Sequence, residues 1–169
     1  MSLEIRRAVE ADGPVLIDLR RRLSAETSNM LWEPEELTQT AEDESRRIAR
    51  FNERPNCRVI LAEADARPIG LLSAVGGEPR RMQHSTHLGL GVLKAYWGQG
   101  VATRMIEHVL DWSREVGLRR VELTVHTTNL RAIGVYLRCG FKVEGLRRSS
   151  LLVDGEYVDE YLMAVLNEV

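Results

Sequence analysis

The pattern of apolar and polar residues predicts seven strands and four helices along the chain. Alternation or short apolar runs mark the strands, whereas apolar residues three and four apart mark the helices. The predicted strands cover residues 3–8, 58–63, 69–75, 84–92, 120–125, 141–151 and 157–165. The predicted helices cover residues 13–23, 35–51, 100–116 and 129–140. This order, β-α-α-β-β-β-α-β-α-β-β, predicts an α/β fold in which one mixed sheet carries helices on both faces.

The ends of several predicted elements carry recognisable signals. Asp12 and Asn129 are typical N-cap residues, and Pro34 stands where the second helix is expected to begin. Gly117 follows the third helix, at the position where a left-handed residue commonly ends a helix. The strand, helix and strand from residue 84 to residue 125 predict a right-handed crossover between parallel strands.

Length and composition limit the class of protein. A chain of 169 residues with 44% hydrophobic and 28% charged residues predicts one globular domain spanning 1–169. The net charge of −2 gives no electrostatic attraction to nucleic acid, and no apolar run approaches the ~20 residues that span a bilayer. Cys57 and Cys139 lack metal-binding spacing, and the N-terminus lacks a signal-peptide pattern. We therefore expect a cytoplasmic protein with no metal, no nucleic-acid partner and no membrane partner; monomer and homodimer both remain open.

The segment from residue 88 to residue 103 contains the strongest candidate for a ligand site. An apolar strand runs into a turn with Gly98 and Gly100, and the turn opens directly into an amphipathic helix. Glycine tolerates the backbone angles of a tight turn, and Ala102 leaves the start of the helix uncrowded. Backbone N–H groups at the positive end of a helix dipole bind phosphate or pyrophosphate. A plain tight turn before a helix explains the same glycines, so this motif alone leaves both interpretations open.

A second candidate lies in the fourth predicted helix. At about 100° per residue, Asn129, Ala132 and Tyr136 fall on one side of this helix, beside an apolar stripe that faces the core. A polar N-cap, a small residue and a phenol in line fit a groove for an extended ligand. The alternative is an N-cap followed by a half-buried tyrosine with no ligand.

Together and in this order, the two segments resemble the GNAT superfamily of acyl-CoA N-acetyltransferases. Residues 92–103 are similar to its pyrophosphate motif, Gln/Arg-x-x-Gly-x-Gly/Ala, with Trp97 in place of the usual Gln or Arg. Residues 129–141 are similar, almost completely, to its motif Asn-x-x-Ala-x-x-x-Tyr-x-x-x-Gly-Phe. The predicted strand order is also the order of this family, so the resemblance covers nearly the whole chain.

The resemblance implies an enzyme that uses acetyl-CoA as cosubstrate. It implies that Val92 and its neighbours offer backbone groups to the pantetheine arm and the thioester, and that Gln99–Thr103 hold the pyrophosphate. It also implies that Asn129 touches the coenzyme arm and that Tyr136 is the general acid beside the thioester sulfur. The coenzyme-binding residues that it implies are Leu90, Val92, Trp97, Gly98, Gln99, Gly100, Val101, Ala102, Thr103, Asn129, Ala132 and Tyr136.

Attack by an amine also requires a proton acceptor, because only the neutral amine is a nucleophile. His87 is the candidate base: by alternation it shares a strand face with Gly89 and Gly91, and it stands where many members of the family carry Glu or Asp. An imidazole titrates in the range where a base must act near neutral pH. A partly exposed structural histidine is the alternative. His126, just past a predicted strand end, is interpreted as a loop residue.

The hairpin sequence of residues 153–164 resembles members of this family that acetylate amino acids and related small amines. The resemblance therefore implies acetyl transfer from acetyl-CoA to a primary amine of a small molecule, such as an amino acid, by direct attack on the thioester. It also implies an acceptor pocket that involves residues 26–33 and the turn at residues 154–157, where acidic side chains would hold an ammonium group and Trp32 would cover an apolar side chain. A mobile loop that Trp32 anchors explains residues 26–33 equally well. Acetylation of a protein N-terminus or lysine is the first alternative. The second is a non-catalytic regulator that binds acyl-CoA.

Overall fold

The order of the strands and helices confirms the predicted fold class. The computed structural model describes residues 2–168. Its strands are β1 (Leu3–Arg7), β2 (Arg58–Ala64), β3 (Arg67–Gly76), β4 (Ser85–Val92), β5 (Arg120–His126), β6 (Lys142–Val153) and β7 (Glu156–Leu166). Its helices are α1 (Gly13–Glu26), α2 (Ala41–Glu53), α3 (Val101–Glu115) and α4 (Leu130–Arg138). All seven strands form one sheet in the order β1-β2-β3-β4-β5-β7-β6.

Two hydrophobic cores lie on opposite faces of this sheet. On one face, α3 and α4 pack against strand residues such as Leu88 and Val121. On the other face, α1 and α2 pack against strand residues such as Val59 and Leu61. Because successive strand residues point to opposite faces, β2 and β3 contribute to both cores. No helix within residues 2–168 is long and apolar enough to cross a bilayer.

The second helix begins later than predicted. Pro34–Glu36 forms only a single 3-10 turn, and α2 starts at Ala41 instead of residue 35. The reason is a capping box: the Asp43 N–H donates to Thr40 Oγ1 at 3.1 Å, and the Thr40 N–H donates to an Asp43 oxygen at 2.9 Å. This reciprocal pair fixes a helix start that the proline does not.

The predicted capping role of Asp12 is wrong, whereas that of Asn129 is confirmed. The Asp12 carboxylate makes no cap hydrogen bond to α1. It accepts from the Val9 N–H at 2.8 Å and pairs with the Arg6 guanidinium at 2.8 Å, so these contacts with the preceding strand and loop replace the cap. Asn129 Oδ1 accepts from the Ala132 N–H at 3.3 Å and caps α4.

The parallel strands β4 and β5 separate after a short paired stretch. They are neighbours, as the crossover predicts, but pair only from Ser85–Arg120 to His87–Glu122. Beyond these residues β4 remains bonded to β3, and β5 to β7, each on its outer side. Residues 88–92 of β4 and 123–126 of β5 do not pair with each other, and they border an opening that we call the gap.

Candidate active site

Both edges of the gap carry backbone groups without a strand partner. The Leu93 N–H donates to β3 at 2.9 Å, and ladder bonds alternate along an antiparallel pair. Leu90 and Val92 therefore turn their N–H and C=O groups toward the gap. On the other edge, the Thr127 N–H donates to β7 at 3.0 Å, so the backbone of Thr124 also faces the gap. An extended arm with its own amides can bond to both edges.

A run of free backbone amides lies beyond the β4 end of the gap. Gly98 and Gly100 have φ of 75° and 80°, the left-handed region that glycine adopts without strain, so the predicted turn geometry is confirmed. Gly100 is the N-cap of α3 and makes no side-chain cap. The Arg104 N–H donates to the Gly100 carbonyl at 3.1 Å, but no acceptor among residues 2–168 receives the amides of residues 98–103. Such amides at the positive end of α3 are suited to an anion.

Trp97, the departure from the family motif, occupies the end of the gap. Its indole Nε1–H donates to the Val92 carbonyl at 2.6 Å. The Arg131 guanidinium lies 4.7 Å from the indole ring centroid, and the Lys94 ammonium lies 5.8 Å from it. The indole therefore covers one gap-facing carbonyl and holds two cations near the glycine turn.

Tyr136 lies on the α3–α4 side of the sheet and is 8% exposed. Its ring packs against Phe141 with a centroid distance of 5.8 Å. Burial, with a smaller contribution from Cys139, raises the pKa of the Tyr136 phenol to about 12. The phenol therefore stays protonated at neutral pH, the form that a general acid requires.

His87 lies at the point where β4 and β5 separate. Its side chain is 45% exposed, and its Nδ1 is 3.7 Å from an oxygen of Glu122, its neighbour across the parallel pair. Glu122 is held by Arg120, which also pairs with Glu144. The carboxylate therefore faces the imidazole that is the candidate base and can orient it.

The two glycines that share the strand face of His87 differ in what surrounds them. A Cβ at Gly89 would meet nothing within 4 Å, so this position is open. A Cβ at Gly91 would lie 2.9 Å from a Leu23 methyl and 3.2 Å from Met30 Sδ. The space above Gly91 is therefore filled, and glycine at this position allows α1 to approach the strand.

The predicted acceptor loop is partly engaged by the protein itself. A carboxylate oxygen of Glu26 accepts from the Lys94 N–H at 2.7 Å, which ties the end of α1 to the chain after β4. Trp32 is 51% exposed and borders a surface pocket of about 620 Å³ with α2 residues such as Asp43 and Arg50.

Three polar residues near the gap differ from the sequence prediction or escape it. The sequence predicts His126 in a loop, but it ends β5 and is buried, because its strand continues one residue further. No motif in the sequence singles out Glu122 or Glu160. Alternation along β5 places Glu122 and His126 on one face, but only the register of the sheet brings His87 and Glu160 beside them.

Comparison with known proteins agrees with this geometry. The family model described as the acetyltransferase (GNAT) family matches residues 24–141. An L-amino acid N-acetyltransferase of Escherichia coli K12 is 35% identical over 119 residues, which cover 68% of this chain and 72% of that protein. A spermidine N(1)-acetyltransferase of the same strain is 28% identical over 109 residues, which cover 64% of this chain and 58% of that protein.

Solved structures show the same fold. A GNAT acetyltransferase from Streptococcus pneumoniae superposes with a TM-score of 0.95 at 26% identity, covering 99% of this chain and 100% of that one. The yncA protein of Salmonella typhimurium, solved with its cofactor acetyl-CoA, gives a TM-score of 0.83 at 18% identity, covering 99% and 95%. The family model matches more than half of this chain. The chain therefore belongs to the GNAT family and is an acyl-CoA-dependent N-acetyltransferase.

Proposed function

We propose that this protein transfers the acetyl group of acetyl-CoA to the primary amine of a small molecule, with an L-amino acid as the acceptor. The observation that carries the proposal is the gap, whose unpaired backbone groups lead to a run of free amides at the start of α3. A thin ligand with an amide-bearing arm and an anion at one end fits this arrangement. The pantetheine and pyrophosphate of acetyl-CoA have this chemistry.

Each part of the cosubstrate has a matching group in the chain. The amides of Gln99–Thr103 bind the pyrophosphate, and the backbone of Leu90 pairs with pantetheine. The Val92 N–H remains available to the thioester oxygen, because Trp97 covers only the carbonyl of this residue. Asn129 uses its side-chain oxygen to cap α4, so its NH₂ group is free to bond the arm.

The acyl transfer itself requires a base, an oxyanion donor and an acid. His87 receives a proton from the acceptor ammonium through a chain of water molecules, and the neutral nitrogen attacks the thioester carbonyl carbon. As the C–N bond forms, the carbonyl oxygen becomes negative and is stabilised by a strand N–H. The C–S bond then breaks, and Tyr136 donates its phenolic proton to the leaving thiolate. The second proton shed by the nitrogen returns through solvent to the tyrosinate.

The choice of acceptor rests on the relatives. One is named for L-amino acids and another for spermidine, so both point to a small amine. An amino acid is favoured as the acceptor because the L-amino acid N-acetyltransferase is the more similar of these two relatives. The match also covers a larger share of that protein's length.

An amine panel tests the proposal. Purified protein is given acetyl-CoA with L-amino acids, polyamines or a peptide with a free N-terminus, and free thiol and product mass are measured. N-acetylated forms of the same acceptors are the matched controls. We expect thiol release with L-amino acids and a mass gain of one acetyl group. Turnover of the peptide alone would favour the protein acetyltransferase, and bound acetyl-CoA without turnover of any amine would refute the proposal.

A further inference from the structure

Two buried polar side chains stand next to each other at the mouth of the gap. His126 of β5 and Glu160 of β7 are cross-strand neighbours and are 7% and 6% exposed. The adjacent Thr127 N–H bonds to Asp159, so His126 and Glu160 form the closely spaced type of pair, with Cα atoms about 4.5 Å apart. Their strand neighbours Val125 and Tyr161 belong to the α3–α4 core. The pair therefore faces the opposite side, the side of His87.

The position of this pair along the sheet places it at the gap. The last paired residues of β4 and β5 are His87 and Glu122. Because the two strands are parallel, the residues four positions further along each of them, Gly91 and His126, lie opposite each other across the gap. The pair thus lies on the candidate-base side, at the open end of the gap.

Glu160 is fixed through only one of its oxygens. Oε2 accepts from Ser150 Oγ at 2.8 Å and from an Arg147 nitrogen at 3.3 Å. Ser150 reaches it from a bulge in β6, where Ser149 has φ of 49°, a strained value for a residue other than glycine. Oε1 accepts no hydrogen bond from residues 2–168, and the same holds for the His126 ring. No polar atom of either side chain is both fully enclosed and without a hydrogen-bond partner. Glu160 Oε1 and the His126 ring nitrogens therefore reach the accessible surface.

We propose that Glu160 and His126 form the subsite that recognises the ammonium group of the acceptor. Glu160 Oε1 accepts one N–H of the ammonium, and a nitrogen of the His126 ring accepts another. A carboxylate held in place by two donors on its second oxygen is preorganised to receive a cation, and burial strengthens the interaction. The ligand class is therefore a primary ammonium. This inference rests on the proposed function, since it names the part of the acceptor that the site binds.

Kinetics with L-leucine and a matched analogue test the subsite. The analogue, 4-methylpentanoate, keeps the leucine skeleton and carboxylate but lacks the amino group, so it can act only as an inhibitor. Glu160→Gln should raise the KM for L-leucine at least tenfold, equivalent to about 1.4 kcal/mol. Inhibition by 4-methylpentanoate should be unchanged or stronger, and the KM for acetyl-CoA unchanged. Arg147→Gln is the control, because it removes a partner of Oε2 and leaves Oε1 free; L-leucine binding should persist or tighten.

Equal loss in the Glu160 and Arg147 variants would overturn the proposal, because Glu160 would then serve only to hold the hairpin. An unchanged KM for L-leucine in Glu160→Gln would overturn it as well, while leaving the proposed function intact. Calorimetry of 3-methylbutylammonium binding to the CoA complex distinguishes a failure of the proposed function from a failure of the subsite. If the wild type acetylates no amine but binds this cation, and Glu160→Gln does not, the subsite stands and the proposed function falls.

Discussion

Burial of the Tyr136 phenol makes the stability of the protein depend on pH in the alkaline range. The phenol has a pKa of about 12 in the folded protein, against about 10 in the unfolded chain, and the difference corresponds to about 3 kcal/mol. The raised value means that the fold favours the protonated form. The contribution of the Tyr136 phenol to the free energy of unfolding is therefore complete below about pH 10 and is lost as the pH rises from about 10 to about 12.

Tyr136→Phe removes this dependence while keeping the packing of the ring on Phe141. Urea unfolding of both proteins gives the free energy of unfolding at pH 8 and at pH 11.5. Between these values the wild type should lose about 2 kcal/mol more than the variant, because the variant has no phenol to ionise at this position. Tyr157→Phe is the matched control: Tyr157 is 74% exposed, and its substitution should leave the pH dependence unchanged.

Tyrosinate absorbance, followed across the same range, should show one group that ionises late and is missing in Tyr136→Phe. The same variant should lower kcat by about 100-fold, with little change in the KM for acetyl-CoA, if the phenol is the acid. A wild type and variant whose stabilities fall in parallel from pH 8 to pH 11.5 would refute the burial argument. Wild-type kcat in the variant, with chemistry limiting the rate, would refute only the acid role.

Three further substitutions test the site and its framework. Ala102→Glu places a negative side chain beside the free amides and should weaken CoA binding more than tenfold, or about 1.4 kcal/mol, by calorimetry; Ala102→Ser is the control. Gly91→Ala should destabilise the protein by about 1–3 kcal/mol because its Cβ meets a buried leucine, whereas Gly89→Ala, in open space, should not; equal denaturation midpoints would contradict this. Glu122→Gln removes the carboxylate that faces the His87 imidazole, so kcat should fall severalfold while the KM for acetyl-CoA stays unchanged; a wild-type kcat would show that Glu122 does not orient His87.

Element order was predictable because each element carries its own local signal. Alternation marks β5, and Asn129 caps α4 where its side-chain chemistry allows. The start of α2 was misplaced because two start signals compete within a few residues of each other. The prediction rests on the proline, which supplies no hydrogen bond, whereas the capping box of Thr40 and Asp43 supplies two reciprocal ones.

Contacts across the sheet were not predictable in the same way. Alternation gives the face of a residue but not its partner, because the register between strands depends on the whole fold. His87 could therefore be selected as a base, whereas its contact with Glu122 depends on the parallel register at residues 85–87. The same limit applies to His126 and Glu160, which are 34 residues apart in the chain but adjacent in the sheet.

Trp97 departs from the family motif, but it brings positive charge to the proposed pyrophosphate site. Where the family usually has Gln or Arg, this chain has an indole that bonds the Val92 carbonyl. The substitution removes a polar or positive side chain from the turn that faces the expected pyrophosphate. The indole face, however, holds Lys94 from the turn and Arg131 from α4 within 6 Å of its ring centroid. Positive charge is thus supplied by Lys94 and Arg131, and the proposed anion site joins the turn before α3 to the first turn of α4.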